Sequence, residues 1–288
     1  MLEILITGSS RPQLWPYFWE SFKKMCIIRQ PHKITVHEDY VFGDRSEQVM
    51  KYLRHLKEKG EIDVINADNP ARGLGWTLDH YIKNRLESEY VFYLQEDWEF
   101  ERPIDIDQIT YVMDQHPQKI NLIFFNKIKN SGVINKCEQR EYTYSGMKVC
   151  LYHGWAFLPG IWRRPFVRKN WVKSLHKPEG AFQQALGSHE TRVDVKYCEN
   201  RIGAYIYGRQ GEHRYVRHLG NDWRMAEWRL EGRRNNIRPG GNHGEHMDKP
   251  YMAPWVPYPK RPVQARDGYD PTLIDRVIKG EKIENLLK

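Results

Sequence analysis

The amino-acid sequence predicts an α/β fold: a Rossmann-like, mostly parallel central sheet flanked by helices, followed by an irregular second half. Three observations lead there. Apolar runs of strand length alternate with stretches of helical periodicity through the first hundred residues. Each of those runs stops at a cluster of polar residues, as strands do at the rim of a parallel sheet. No apolar stretch approaches the roughly 20 residues needed to span a bilayer, so the hydrophobic residues, 40% of the chain, read as the core of a soluble protein.

Leu2-Thr7 is a short apolar run ending in Gly8-Ser9-Ser10, a buried strand and its turn. Pro12 opens a helix through about Met25, with Leu14, Phe18 and Phe22 on one face. Lys33-His37 is β-rich and ends at Glu38-Asp39, and Ser46-Lys59 is helical with Val49, Leu53 and Leu56 as its stripe. Ile62-Ile65 reads as a strand closed by Asn66 to Pro70. Gly73-Leu86 repeats Leu74, Leu78, Ile82 and Leu86 at helical spacing, and Tyr90-Leu94 is a fully apolar strand that stops at Gln95-Glu96-Asp97. In a parallel sheet ligands bind outside the carboxyl ends of the strands. The polar groups Ser9 to Arg11, Glu38-Asp39, Asn66 to Asn69 and Glu96-Asp97 are therefore expected on one rim.

From Pro103 the pattern changes. Ile104-Gln115 reads as a helix, Asn121-Phe125 as a strand, and residues 126-150 as a hairpin or irregular insertion. Leu151 to Arg238 is rich in Trp, Tyr, Arg and Gly; from Pro239 the chain is Gly/Pro-rich, and a short amphipathic helix over Pro271-Leu287 is expected to dock on the body. This divides the chain into 1-102, 103-238 (a second half of the same domain) and a wrapping tail, 239-288.

A net charge of +8 and a pI near 9.1 suggest an anionic partner: a nucleotide, a nucleic acid or a membrane surface. Cys26, Cys137, Cys150 and Cys198 stand far apart, without a metal-type spacing, which points to reduced thiols and a cytoplasmic protein. The run from Met1 to Gly8 holds an acid and reads as a strand rather than a signal peptide.

Glu96-Asp97 is the feature with the clearest chemistry. Hard divalent cations such as Mg2+ or Mn2+ take few carboxylates and complete their shell with phosphate oxygens. A solvated acid pair in a loop is the plain alternative, but a strand as apolar as Val91-Leu94 fixes and half-buries whatever follows it.

The stretch from Arg72 to Trp98, Arg-Gly-Leu-Gly-Trp-Thr-Leu-Asp-His and then Tyr-Val-Phe-Tyr-Leu-Gln-Glu-Asp-Trp, resembles the heart of GT-A-fold, family-2-like nucleotide-sugar glycosyltransferases. The resemblance implies that Asp97 binds a metal, Mn2+ or Mg2+, which holds the donor diphosphate, with Glu96 contacting ribose or a metal-bound water. Gln95, where an acid is usual, departs from the pattern. The resemblance also implies that the turn Thr7 to Arg11, through Thr7, Ser9 and Arg11, and an acid, Glu38 or Asp39, receive the nucleoside. A carboxylate accepting the imide N–H of uracil makes a UDP-sugar the expected donor, although turn acids account for Glu38-Asp39 equally well. Arg72 would contact base or diphosphate. In Gly187-Ser-His-Glu-Thr-Arg, Glu190 is the implied catalytic base, with Asp194 the runner-up. His218, in preference to His213, would complete the metal site, and His243-Gly-Glu-His246 reads as a loop rather than a zinc site.

On this reading residues 1-102 bind the nucleotide sugar and 103-238 the acceptor. The segment Gly160 to Arg168 resembles the acceptor side of these enzymes, and Trp162, Arg163, Arg164, Arg214 and Arg217 are expected to meet the acceptor. Arginines neutralise phosphates and interleaved aromatics stack on bases, including a flipped base. The favoured acceptor is therefore DNA carrying a 5-hydroxymethylated pyrimidine, as in phage DNA-modifying glycosyltransferases, with the host cytoplasm as the location. The alternatives are a soluble transferase acting on a glycan, protein or small molecule, a non-enzymatic nucleic-acid-binding protein, and a metal-dependent nuclease or phosphatase.

Overall fold

The computed structural model describes residues 1–41, 43–125, 140–152, 154–174, 178–187, 194–209, 212, 215–219 and 272–282. The first half runs β1 (Leu2–Gly8), α1 (Trp15–Met25), β2 (Cys26–Ile27), β3 (His32–Asp39), α2 (Gly43–Glu58), β4 (Val64–Asp68), α3 (Leu74–Asn84), β5 (Tyr90–Gln95) and β6 (Trp98–Phe100). The second continues with β7 (Ile104–Asp105), α4 (Ile106–Gln115), β8 (Leu122–Phe124), β9 (Glu141–Tyr144), β10 (Met147–Tyr152), β11 (Gly160–Arg163) and α5 (Arg164–Asn170). Then come α6 (Pro178–Ala185), α7 (Val195–Tyr197), a π turn over Cys198–Ile202, β12 (Ala204–Tyr207), β13 (Val216–His218) and α8 (Leu273–Ile278).

Among the described residues a nine-stranded sheet runs in the order β4-β3-β1-β5-β11-β8-β12-β10-β9. Its first four strands are all parallel, as strand–helix alternation requires. β1 lies between β3 and β5 and is buried along its whole length; its two polar side chains are paired inside, Glu3 with the Glu87 and Ser88 N–H groups and Thr7 with Tyr93 OH. β11 then pairs antiparallel with both β5 and β8, so the sheet becomes mixed beyond β5.

Several element bounds shift for identifiable reasons. α1 starts at Trp15 rather than Pro12, because Leu14 N–H first closes a turn on the Arg11 carbonyl. On its apolar face Phe18 stacks on Phe22, and Phe22 packs at a tilt against Phe92 and Phe100. β4 is Val64–Asp68 rather than Ile62-Ile65: Asp63 exchanges hydrogen bonds with Ile34, and pairing with β3 begins only at Thr35↔Val64. α4 starts at Ile106, where Asp105 caps it by accepting Gln108 N–H at 3.0 Å. The insertion contains the hairpin β9–β10, turned at Ser145 and Gly146, both with positive φ. α8 docks on the body by burying Leu273 and Ile274, with Asp275 paired to Lys51 of α2. The Gly/Pro-rich run from Pro239 falls outside the described residues. No helix among them is long and apolar enough to cross a membrane.

Candidate functional site

The parallel register brings the strand ends level. Gly8 of β1 stands beside Glu38 of β3, Thr7 beside Gln95 of β5, and Asp39 beside Asp68 of β4. The turn after β1, the acids after β3 and the acid pair after β5 thus meet on the carboxyl rim. Gly8 is needed for this convergence: a Cβ there would lie 2.4 Å from Glu38 Oε2 and 2.8 Å from the Trp15 ring.

Arg11 ties the turn to the acids. Its Nε donates to Glu96 Oε1 and its Nη1 to Asp97 Oδ2, each at 2.7 Å. Glu96 Oε1 also accepts the Ser9 N–H at 3.0 Å. Both acids are buried. Burial works to raise the Asp97 pKa, but the charge of Arg11, and then His218, outweigh it and hold the group well below the usual carboxylate range. Glu96 moves the other way: burial and the neighbouring Asp97 charge raise it, against the pull of Arg11. Asp97 is thus the firmly ionised member of the pair. The remaining oxygens, Glu96 Oε2 and Asp97 Oδ1, are buried without a hydrogen-bond partner among the described residues.

His218 arrives from far along the chain. β13 pairs antiparallel with β6, setting His218 opposite Trp98, and Leu219 N–H donates to the Asp97 carbonyl at 2.7 Å. The imidazole stacks on Trp98 with centroids 4.5 Å apart, and its Nε2 lies 3.1 Å from Asp97 Oδ2. Asp97 and His218 are therefore together. Among the described residues, however, no group of three or more His, Cys, Asp or Glu side chains is arranged to hold a metal ion.

The other rim residues have internal tasks. Thr7 Oγ1 is hydrogen-bonded to Tyr93 OH inside the sheet. Glu38, fully buried and with its pKa raised by burial and then by the Glu96 charge, accepts Ser10 N–H at 2.6 Å and Ser46 Oγ–H. Asp39 accepts the backbone N–H of Arg72 at 2.8 Å and of Gly73 at 2.9 Å, pinning the turn into α3. Thr7 and Asp39 therefore hold the rim in shape, Asp39 with both carboxylate oxygens on buried backbone donors, whereas Glu38 spends Oε1 on the turn and keeps Oε2 buried without a hydrogen-bond partner among the described residues. Arg72 is exposed, with its guanidinium 4.2 Å from the Trp76 ring centroid.

No protein-family model and no curated protein matches the sequence. Solved structures do match. S. aureus TarS residues 1–349 in complex with UDP gives a TM-score of 0.50 at 12% identity, over 86% of this chain and 68% of that one. The S. aureus TarS chain gives 0.48 at 12% identity, and the match covers only 41% of TarS. A mannosyltransferase from Pyrobaculum calidifontis, in complex with GDP-Man and Mn2+, gives 0.45 at 9% identity over 86% of this chain and 69% of that one. The fold is GT-A-like.

Within that GT-A-like sheet the expected acceptor residues go elsewhere. β11 runs antiparallel to β5, with Arg163 beside Tyr90 and Gly160 beside Tyr93, which carries Arg163 and Arg164 toward the amino end of β5, away from the acid pair. Trp162 is a core residue, stacked on Tyr93 and Trp155 with centroids 4.5 and 4.3 Å away. Arg163 donates to Glu89 Oε1 at 2.7 Å and to the Met113 carbonyl at 2.6 Å, and Arg164 to the Ser88 carbonyl at 2.8 Å. Trp162 thus fills the core, Arg163 and Arg164 fasten the amino end of β5, and none of the three lines the acid-pair rim. Arg217 is near the site but buried on β13, 3.8 Å from Glu99 Oε2. Asp194, the runner-up to Glu190, caps α7 by accepting Lys196 N–H at 2.9 Å. Glu190, Arg214, His213, His243 and His246 lie outside the described residues.

Sequence reasoning missed Ser46, Trp98 as a seat for His218, and Glu96 as the anchor of the β1 turn. The Ser10–Glu38–Ser46 cluster joins residues up to 36 positions apart and leaves no trace in spacing. The Trp directly after the acid pair was a visible signal for the second.

Proposed function

We propose that this chain is a nucleotide-sugar glycosyltransferase whose donor diphosphate lies against Arg11, Glu96 and Asp97. The observation that supports it is the paired use of one guanidinium and two buried carboxylates at the carboxyl rim of a GT-A-like sheet, with one oxygen of each acid left without a partner. Those two oxygens are hard donors of the kind Mn2+ or Mg2+ takes, and two protein carboxylates plus phosphate oxygens are a normal shell for such an ion. Asp97 Oδ1 and Glu96 Oε2 would hold the ion. When bound, it neutralises charge building on the departing nucleoside diphosphate.

The chain's own residues prepare that site. Ser9 N–H and Arg11 fix the Glu96 carboxylate, and Arg11 and His218 keep Asp97 ionised, so the geometry is set before any ligand arrives. Arg11 also offers a planar fork for a phosphate group. TarS was solved with UDP, which makes a UDP-sugar the first donor to try. Glu190 remains our candidate for deprotonating the acceptor hydroxyl. For the acceptor, the net charge of +8 favours hydroxymethylated DNA, although Trp162, Arg163 and Arg164 are engaged away from the site and Arg214 lies outside the described residues.

A thermal-shift screen of nucleotide sugars with and without Mn2+, followed by transfer of a labelled sugar to hydroxymethylated DNA and to glycans, tests the reading. Stabilisation by one donor in the presence of Mn2+, and label on an acceptor, is expected. Absence of any donor effect would refute the glycosyltransferase reading, and label on glycans but not on DNA would remove the DNA acceptor.

A further inference from the structure

The guanidinium of Arg11 stands on the two acids that a divalent cation would use. It engages one oxygen of each, at 2.7 Å, and leaves Glu96 Oε2 and Asp97 Oδ1 buried and without a partner. With both acids ionised, the three side chains sum to one negative charge. A divalent ion arriving beside the guanidinium turns that into one positive charge in a buried place, where like charges repel strongly. An incoming diphosphate removes the surplus. It also offers Arg11 a second bidentate acceptor, so the guanidinium can give up Asp97 without being stranded. The Arg11 side chain is 13% exposed, against 1% and 5% for the two acids, so it is the member of the trio that reaches toward the rim surface.

We propose that Arg11 is a built-in counter-cation that makes entry of the divalent metal conditional on the donor's diphosphate. This deepens the glycosyltransferase reading and rests on it. Metal and nucleotide then bind cooperatively, and because such coupling is reciprocal, each tightens the other by the same factor. Glu96 is the hinge point of the device, since it keeps Ser9 N–H and Arg11 Nε while Nη1 moves from Asp97 to phosphate. A second consequence is protection: with one of the two acid charges already offset by Arg11, the nucleotide-free protein holds stray divalent ions less tightly.

The test is a titration of the full chain with Mn2+, followed by electron paramagnetic resonance of the free ion, with and without UDP. In the wild type, UDP is expected to tighten Mn2+ by at least about tenfold, a lower bound for one unit charge at contact distance in a buried site. Arg11→Gln is expected to bind Mn2+ without UDP at least about tenfold more tightly than the wild type, and to lose most of the gain from UDP. Arg11→Lys keeps the charge but cannot span both acids, so its Mn2+ affinity should fall between the two. A folded Arg11→Gln with unchanged or weaker Mn2+ binding overturns the proposal. If that variant does not fold, a wild-type Mn2+ affinity that saturating UDP leaves unchanged overturns it as well. UDP binding with no effect of either variant on the metal sinks the role of Arg11 and leaves the enzyme reading standing. No binding of UDP or any other nucleotide, with or without Mn2+, sinks the enzyme reading and this proposal with it.

Discussion

Replacing Asp97 by alanine separates the site's contribution to stability from its contribution to ligand binding. The substitution removes the acceptor of Arg11 Nη1 at 2.7 Å and the contact to His218 Nε2 at 3.1 Å. A hydrogen bond to a charged group is worth about 1.5–3 kcal/mol. Stripping a buried charge of its only partner costs about 3–5 kcal/mol, but Arg11 keeps Glu96, and loss of the Asp97 charge relieves repulsion with that neighbour. The expected net loss is about 1–3 kcal/mol, and each kcal/mol lowers Tm by roughly 2–4 °C in domains approaching this size. Donor binding should change far more. A ligand at about 100 times its Kd stabilises the wild type by ~2.7 kcal/mol, whereas a hundredfold weaker site at the same concentration gains only ~0.4 kcal/mol. The assay is a pair of melting curves, with and without UDP plus Mn2+, for wild type and variant. A folded Asp97→Ala that keeps the full Mn2+-dependent shift would refute the assignment of Asp97, whatever its baseline Tm.

Two further outcomes follow from particular residues. At Gly160 a Cβ would lie 2.4 Å from the Ile123 carbonyl oxygen and 2.9 Å from Phe124 Cδ1. The first of these is backbone in the neighbouring strand, so Gly160→Ala should destabilise by about 1–3 kcal/mol, at the upper end of overpacking, as read by urea denaturation; a change within about 0.5 kcal/mol would contradict the packing of β11. Glu190→Gln should lower kcat by at least about a hundredfold, the size of a lost general base, with donor Kd nearly unchanged. Equal losses in kcat and donor affinity would make Glu190 structural.

The parallel half of the fold was legible because its signals are local. Leu2 to Thr7 and Tyr90 to Leu94 are apolar enough to be buried on both faces, and the helices between them repeat every three or four residues, so the chain declares its own periodicity. The place of the acid pair followed, since the carboxyl end of a parallel strand is a rim wherever the strand lies in the sheet. The second half gave no such handle. Gly160-Ile-Trp-Arg reads as a basic, aromatic surface, yet β11 inserts beside β5 and buries Trp162 between Tyr93 and Trp155. Strand order and direction there depend on contacts between residues about 70 positions apart, to which composition is blind.

The same division runs through the site itself. Sequence alone determined that two carboxylates end an apolar strand and that a serine-arginine turn ends another. Only the tertiary structure decided which groups they meet: Arg11 across both acids, His218 beside Asp97, and Glu38 and Asp39 turned inward onto backbone donors. The physical reason is that a strand's end is set by local hydrophobic pattern, whereas the partner of a buried charge is set by whichever opposite charge or donor the packed chain brings within about 3 Å.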